Sequence, residues 1–240
     1  MKVLQILPQL NIGGVERGTL DLSKALIHKG HESFVISGGG ILVDELEQLG
    51  AKHYEIPVHI KSLRTLSLAK SLSETISSID PDIVHIRSRM PAWVNYRAFK
   101  MLQKKPLLVS TFHGLYSFPI YSKVMSFVDH SIAISKTVES YILENYKLDK
   151  NDITVIPRGC DPVEFNNDEI NPDDKAEIIN EFPQIVGKTV LTIPGRITKW
   201  KGVAEFIELL SLLDDNYHGL IVGPTAKSKK KYLNKLQNKV

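Results

Sequence analysis

Short apolar runs recur along the first 157 residues, and each is followed by a stretch whose apolar positions fall three and four apart. The first run, residues 3–7, ends at Pro8 and predicts a buried strand. A helix opens at Gly13-Gly14, carries Val15, Leu20, Leu22, Leu26 and Ile27 as its apolar positions, and stops at Gly30. The alternation continues with strands at 33–37, 53–57, 82–87, 107–112, 130–135 and 153–157. Between them lie helices at 42–49, 63–79, 92–103, 120–128 and 137–146. The fifth and seventh runs, Leu107-Leu108-Val109 and Ile153-Thr154-Val155-Ile156, are nearly continuous in apolar character, as buried parallel strands are. The pattern predicts an α/β fold in which residues 1–165 form a doubly wound, Rossmann-like parallel sheet covered on both faces.

After residue 161 the composition shifts to Asn, Asp, Glu and Pro, with one short helical stretch near 173–181; residues 166–187 read as a connector. A second α/β unit spans 188–240, with strands at 189–193 and 219–222 and helices at 202–213 and 226–239. Two strands and two helices bury little by themselves, so this unit reads as an incomplete domain. An open strand edge there predicts self-association or a complementary polypeptide.

Composition narrows the class. Of 240 residues, 42% are hydrophobic and 24% charged, ordinary for a globular chain. No apolar run approaches the ~20 residues that span a bilayer. The N-terminal stretch is too short in its apolar part for a signal peptide. The lone Cys160 has no partner for an internal disulfide, and a cytoplasmic location is the expectation. The net charge of +3 is unevenly placed: residues 227–240 hold six lysines and no acid. The body is therefore slightly acidic, which argues against a nucleic-acid partner. With Tyr232, Leu233 and Leu236 on one face, the lysine-rich helix fits a covering helix of the second sheet; peripheral contact with an anionic membrane is the alternative.

The chemistry-bearing residues gather at predicted strand ends. Gly13, Gly14 and Gly18 form G-G-V-E-R-G, not the dinucleotide spacing G-x-G-x-x-G, and the second strand ends in Ser37-Gly38 without a ribose-binding acid. A nicotinamide or flavin enzyme is disfavoured. A glycine pair at a strand-to-helix turn still admits a phosphate or sugar to the helix amides, although a ligand-free tight turn has the same sequence. Arg196 and Lys201 flank the turn before the helix at 202, a pairing that suits a diphosphate and that a solvated loop also explains. His113 ends the fifth strand in Ser110-Thr111-Phe112-His113-Gly114. His85, Arg87 and Arg89 are placed at the end of the fourth, the first two sharing a face. No metal-ligand spacing exists among the eight histidines, and Asp80-Pro81-Asp82 reads as a helix stop at the opposite edge.

Taken in order, Gly-Gly-Val-Glu-Arg-Gly at residues 13–18, Asp82-Ile83-Val84-His85, Thr111-Phe112-His113-Gly114, Ile132-Ala133-Ile134-Ser135, Val155-Ile156-Pro157-Arg158-Gly159-Cys160-Asp161, Gly195-Arg196 and Lys201-Gly202 resemble glycosyltransferase family 4. The resemblance covers residues 2 to about 226. It implies the GT-B fold and a retaining hexosyltransferase that moves a sugar from a nucleotide diphosphate to a saccharide or lipid-linked acceptor of the cell-envelope, lipopolysaccharide type. By the same resemblance, Gly13, Gly14, Arg196 and Lys201 would hold the donor diphosphate, and His113, at the catalytic position, would lie near the donor sugar. Glu16, His85 and Arg87 would face the acceptor or the cleft. It implies no metal and no cofactor beyond the nucleotide sugar. The family's Glu-x7-Glu donor motif has no counterpart after Glu208, the last glutamate, so the donor site is expected to be incomplete, nucleotide binding weak, and transfer by this chain alone slight or absent. A non-catalytic relative and a GT-B nucleotide-sugar epimerase are the alternatives.

Overall fold

The computed structural model describes residues 1–60, 63–116, 119–163, 165–166, 171–225 and 230–239. It separates into two units, Met1–Gly159 and Cys160–Val240.

The first unit is a single parallel sheet of seven strands: β1 (Lys2–Ile6), β2 (Glu32–Ser37), β3 (Lys52–Glu55), β4 (Ile83–Ile86), β5 (Leu107–Phe112), β6 (His130–Ala133) and β7 (Ile153–Val155). Their spatial order is β3-β2-β1-β4-β5-β6-β7. The chain winds outward from β1 in one direction and then resumes at β4 on the other side. Connections therefore diverge at β1 and β4, which leaves a crevice at the carboxyl ends of those two strands. The helices are α1 (Gly14–His28), α2 (Val43–Gln48), α3 (Ala69–Ile79), α4 (Arg89–Phe99), α5 (Pro119–Ser122) and α6 (Lys136–Asn145).

Strand periodicity sorts the side chains into two cores. Leu4, Ile6, Phe34, Ile36, Val84, Ile86, Leu108 and Phe112 pack with Leu72 and Ile76 of α3, Val94 of α4 and Ile142 of α6. The other face places Leu7 and Val35 against Leu20 of α1 and Leu46 of α2. Farther along that second face, Leu107 and Ile156 stand about half exposed. The α/β class and the doubly wound sheet are those expected from the sequence.

Element boundaries moved where local chemistry outweighs apolar spacing. Arg89, placed by sequence at the end of the fourth strand, is the first residue of α4. β4 stops at Ile86, Ser88 is the extended residue before the helix, and Pro91 sits in the first turn, where a missing N–H costs no hydrogen bond. Residues 63–68 form a 3-10 segment before α3. The stretch 120–128 breaks into α5 and a 3-10 turn, Lys123–Ser126. Asp80 ends α3 in the left-handed conformation (φ 47°), held by a 2.7 Å ion pair with Lys104, and Asp82 accepts from the Lys2 amide. Both acids serve the chain turn.

The second unit contains α7 (Pro172–Glu181), β8 (Thr189–Pro194), α8 (Val203–Leu210), β9 (Tyr217–Val222) and α9 (Lys230–Gln237). Strands β8 and β9 are parallel, in register from Thr189 opposite Tyr217 to Pro194 opposite Val222. β9 begins two residues earlier than the apolar run suggests, since Thr189 donates to the Asn216 carbonyl and starts the ladder there. Ile197, Val203, Ile207 and Leu236 form its small core, and no residue of either strand is buried. The apolar side of α9 packs on this core through Leu236, with Lys239 paired to Glu208 at 2.8 Å. Residues 226–229 of the predicted terminal helix lie outside the described residues.

Candidate functional site

The crevice between β1 and β4 is lined by polar side chains on the face of the sheet that carries α1. Gln5 lies opposite His85 in the β1–β4 register, and Arg87 follows directly after β4. The Arg87 Nη1 donates to Gln5 Oε1 at 2.8 Å, and the Arg87 amide donates to the Ile6 carbonyl at 3.0 Å. The Gln5 amide nitrogen is itself filled, donating to the Thr19 carbonyl at 3.1 Å and to Ser23 Oγ at 3.0 Å on α1. Ser33 on β2 completes the chain by donating to Ser23 Oγ at 2.9 Å. One buried network thus ties β1, β2, β4 and α1 together and holds the Arg87 fork. Arg87 is only 5% exposed, and its Nε has no hydrogen-bond partner among the described residues.

Two histidines stand beside it. His85 is buried and shares a 2.7 Å hydrogen bond with Thr111 on β5. Burial, the Arg87 charge and His113 hold its pKa well below the ordinary value. His113, just past β5, has both ring nitrogens shielded from solvent and unpartnered among the described residues. Burial first, then Arg87 and Arg158, lower its pKa to about 3. Both rings are therefore neutral at physiological pH, with one donor and one acceptor nitrogen each. Arg87 keeps its charge, its pKa lowered to about 10 by burial and then by Arg158, and supported by Asp21 and Glu16.

In the sequence Arg158 stood only as part of the motif at residues 155–161, with no role assigned to it. It follows β7, and its guanidinium donates to the Gly14 carbonyl at the start of α1. Gly14 and Gly18 are one helical turn apart and form the groove it occupies: a Cβ at Gly18 would stand 2.7 Å from Arg158 Nη2. The G-G-V-E-R-G glycines thus seat an arginine from the far end of the sheet. The Glu16 carboxylate folds back over Gly13 at the same helix end. In the first unit the structure therefore gathers Gly13, Gly14, Glu16, His85, Arg87 and His113 at one sheet edge, and adds Gln5 and Arg158.

Arg196 and Lys201 belong to the second unit. Both lie on the connection from β8 to α8, with Ile197 buried between them in sequence. Gly195 (φ 144°) and Gly223 (φ 154°) let the ends of β8 and β9 approach, since a side chain at Gly223 would run into the Gly195 carbonyl. Arg196 is exposed, and the Lys201 ammonium lies 4.4 Å above the ring of the exposed Trp200. Among the described residues no group of three or more His, Cys, Asp or Glu could hold a metal ion, and no helix is long and apolar enough to cross a membrane.

The model of Glycosyltransferase Family 4 matches residues 12–164. An uncharacterized glycosyltransferase of Methanocaldococcus jannaschii is 32% identical over 148 residues, 54% of this chain and 36% of that one. One component of human phosphatidylinositol N-acetylglucosaminyltransferase is 25% identical over 187 residues, 70% of this chain and 38% of that one. Among solved structures, a glycosyltransferase from Rickettsia africae superposes with a TM-score of 0.83 at 33% identity, covering 99% of this chain and 64% of that one. Anabaena HepE in complex with UDP and glucose also gives 0.83, at 18% identity, covering 100% of this chain and 65% of that one. The chain spans a little over a third of the two curated relatives and just under two thirds of the solved ones. With the family match extending over more than half its length, from the glycine turn to the strand after which Arg158 follows, this chain belongs to glycosyltransferase family 4.

Proposed function

We propose that the protein transfers a sugar, with retention, from a nucleotide diphosphate donor to a saccharide or lipid-linked acceptor. The observation that carries this reading is the match of the family to residues 12–164, the segment that holds His85, Arg87, His113 and Arg158. Solved relatives hold UDP and UDP-glucose, and another is a lipopolysaccharide galactosyltransferase, which supports a nucleotide-sugar donor and an envelope glycan acceptor.

In this reading the donor diphosphate meets Arg196 and Lys201 before α8. Negative charge grows on that diphosphate as the glycosidic bond breaks, and cations placed in advance stabilise it there. His113, neutral at physiological pH, offers the sugar a hydrogen bond without adding charge. Neither a metal nor a further cofactor enters this scheme. Strands β8 and β9, with no buried residue, give the second unit a surface for self-association, which light scattering would detect as a dimer.

The test incubates the protein with a panel of nucleotide sugars and envelope-type acceptors and reads product configuration by NMR. Transfer is expected to be slow and to retain the donor's anomeric configuration, and His113→Ala should slow it further, by about 10²–10³-fold. Inversion, or unchanged transfer by the variant, contradicts the reading.

A further inference from the structure

Cations meet at the crevice of the first unit, where Asp21 and Glu16 support the Arg87 charge without forming an ion pair with it among the described residues. At the crevice itself two guanidiniums, Arg87 and Arg158, lie close enough to repel one another and act together on His113. Among the described residues neither forms an ion pair with a carboxylate; Arg87 is held by the neutral Gln5 and Arg158 by the Gly14 carbonyl. Three buried nitrogens, Arg87 Nε and both of His113, lack partners among the described residues. Unpaired donors buried beside two like charges are costly unless a ligand completes them. An anion with two or three oxygens does so, since an arginine fork binds such a group in two places at once.

We propose that Arg87, Arg158 and His113 form a seat for a phosphate or carboxylate borne by the acceptor, so that this transferase works on an anionic saccharide or lipid. The word acceptor rests on the function proposed above; the seat itself does not. The arrangement assigns each group a part. Arg87 is immobile and sets the position of the anion. Arg158, on the more exposed side, closes over it from the Gly14-Gly18 groove. His113 directs a neutral N–H at it, leaving the other ring nitrogen to accept from a hydroxyl.

The competing source of the same chemistry is the donor's own diphosphate, and the experiment separates the two. The full chain is titrated with inorganic phosphate, glucose 1-phosphate and UDP, against chloride at equal ionic strength, following thermal midpoint and the His113 ring signals by NMR. Wild type should be stabilised by phosphate and by the sugar phosphate, with the His113 signals moving. Arg158→Ala, which leaves the buried network intact, should weaken both ligands about tenfold or more. Arg87→Lys should act in the same direction, while Arg196→Ala with Lys201→Ala should weaken UDP alone. No phosphate response in the wild type overturns the seat. A response lost in the Arg196/Lys201 variant and kept in Arg158→Ala overturns it too. If Arg158→Ala weakens UDP and spares the sugar phosphate, the anion is the donor's and the acceptor assignment falls. Absence of any UDP binding with the phosphate response intact would break the transferase reading and still establish the seat.

Discussion

At the end of β4 an arginine is buried, hydrogen-bonded through Gln5 to a helix, and surrounded by neutral imidazoles. At the end of β8 an arginine is exposed and its neighbouring lysine rests on an exposed indole ring. Both positions follow a parallel strand and precede a helix, so backbone geometry alone does not separate them. The difference lies in what stands behind each cation. Arg87 is fixed by contacts 82 residues away in sequence, at the cost of desolvating a charge. Arg196 keeps its hydration and must be ordered when a ligand arrives. Preorganisation thus resides in the first unit, and its substitutions should carry the larger penalties.

The largest expected effect is on the network behind Arg87. Gln5→Leu leaves the guanidinium, the Thr19 carbonyl and Ser23 without their partner and should destabilise the first unit by ~3 kcal/mol in urea unfolding. A change below about 0.5 kcal/mol would mean that water replaces Gln5 and that the crevice is not rigid.

Acidification comes next. His113 is held to about 3 against an ordinary 6.5, so between those values the unfolded chain binds more protons than the folded one. Stability is full above the unfolded value and falls as pH drops through this window, by about 2 kcal/mol for this residue near pH ~5. His85, shifted the same way, adds to the loss. His113→Gln should flatten the pH dependence of the unfolding midpoint; an unchanged slope would place the ring in contact with solvent.

A smaller effect sharpens the role of the glycine groove. In Gly18→Ala the new methyl displaces only the far end of a flexible side chain, Arg158, while the helix gains up to ~1 kcal/mol from replacing glycine. Stability should hold or rise slightly while phosphate affinity falls. A loss of stability together with unchanged affinity would show that Arg158 is a structural brace. Smallest of all is Arg196→Ala, expected to stay within ~0.5 kcal/mol of wild type in stability, since its side chain is exposed.

The sheet was legible because its signals are local. Apolar runs such as Leu107-Leu108-Val109 mark a buried strand whatever its neighbours. Strand ends also announced His85, Arg87 and His113, since ligand edges of parallel sheets gather there. Arg89 was misplaced because Pro91 reads as a break unless the first helical turn has been located. Gln5 gave no local sign, and Arg158 stood in a motif without a role. Gln5 sits inside an apolar run, and Arg158 meets Gly14 from 144 residues away. Only the strand order, with its divergence at β1 and β4, brings those positions together. The glycines were visible as a turn open to a phosphate or sugar; that Gly14 and Gly18 form a groove filled by Arg158 was not.

His113 is a dry, neutral imidazole under the influence of two guanidiniums, the fixed Arg87 and the exposed Arg158. Nitrogen NMR of His113 in the full chain, followed from neutral pH downward, tests this most directly. The ring should stay neutral well below the ordinary histidine range, and its signals should move when phosphate is added at constant pH. A ring that titrates near 6.5 and ignores phosphate would contradict it.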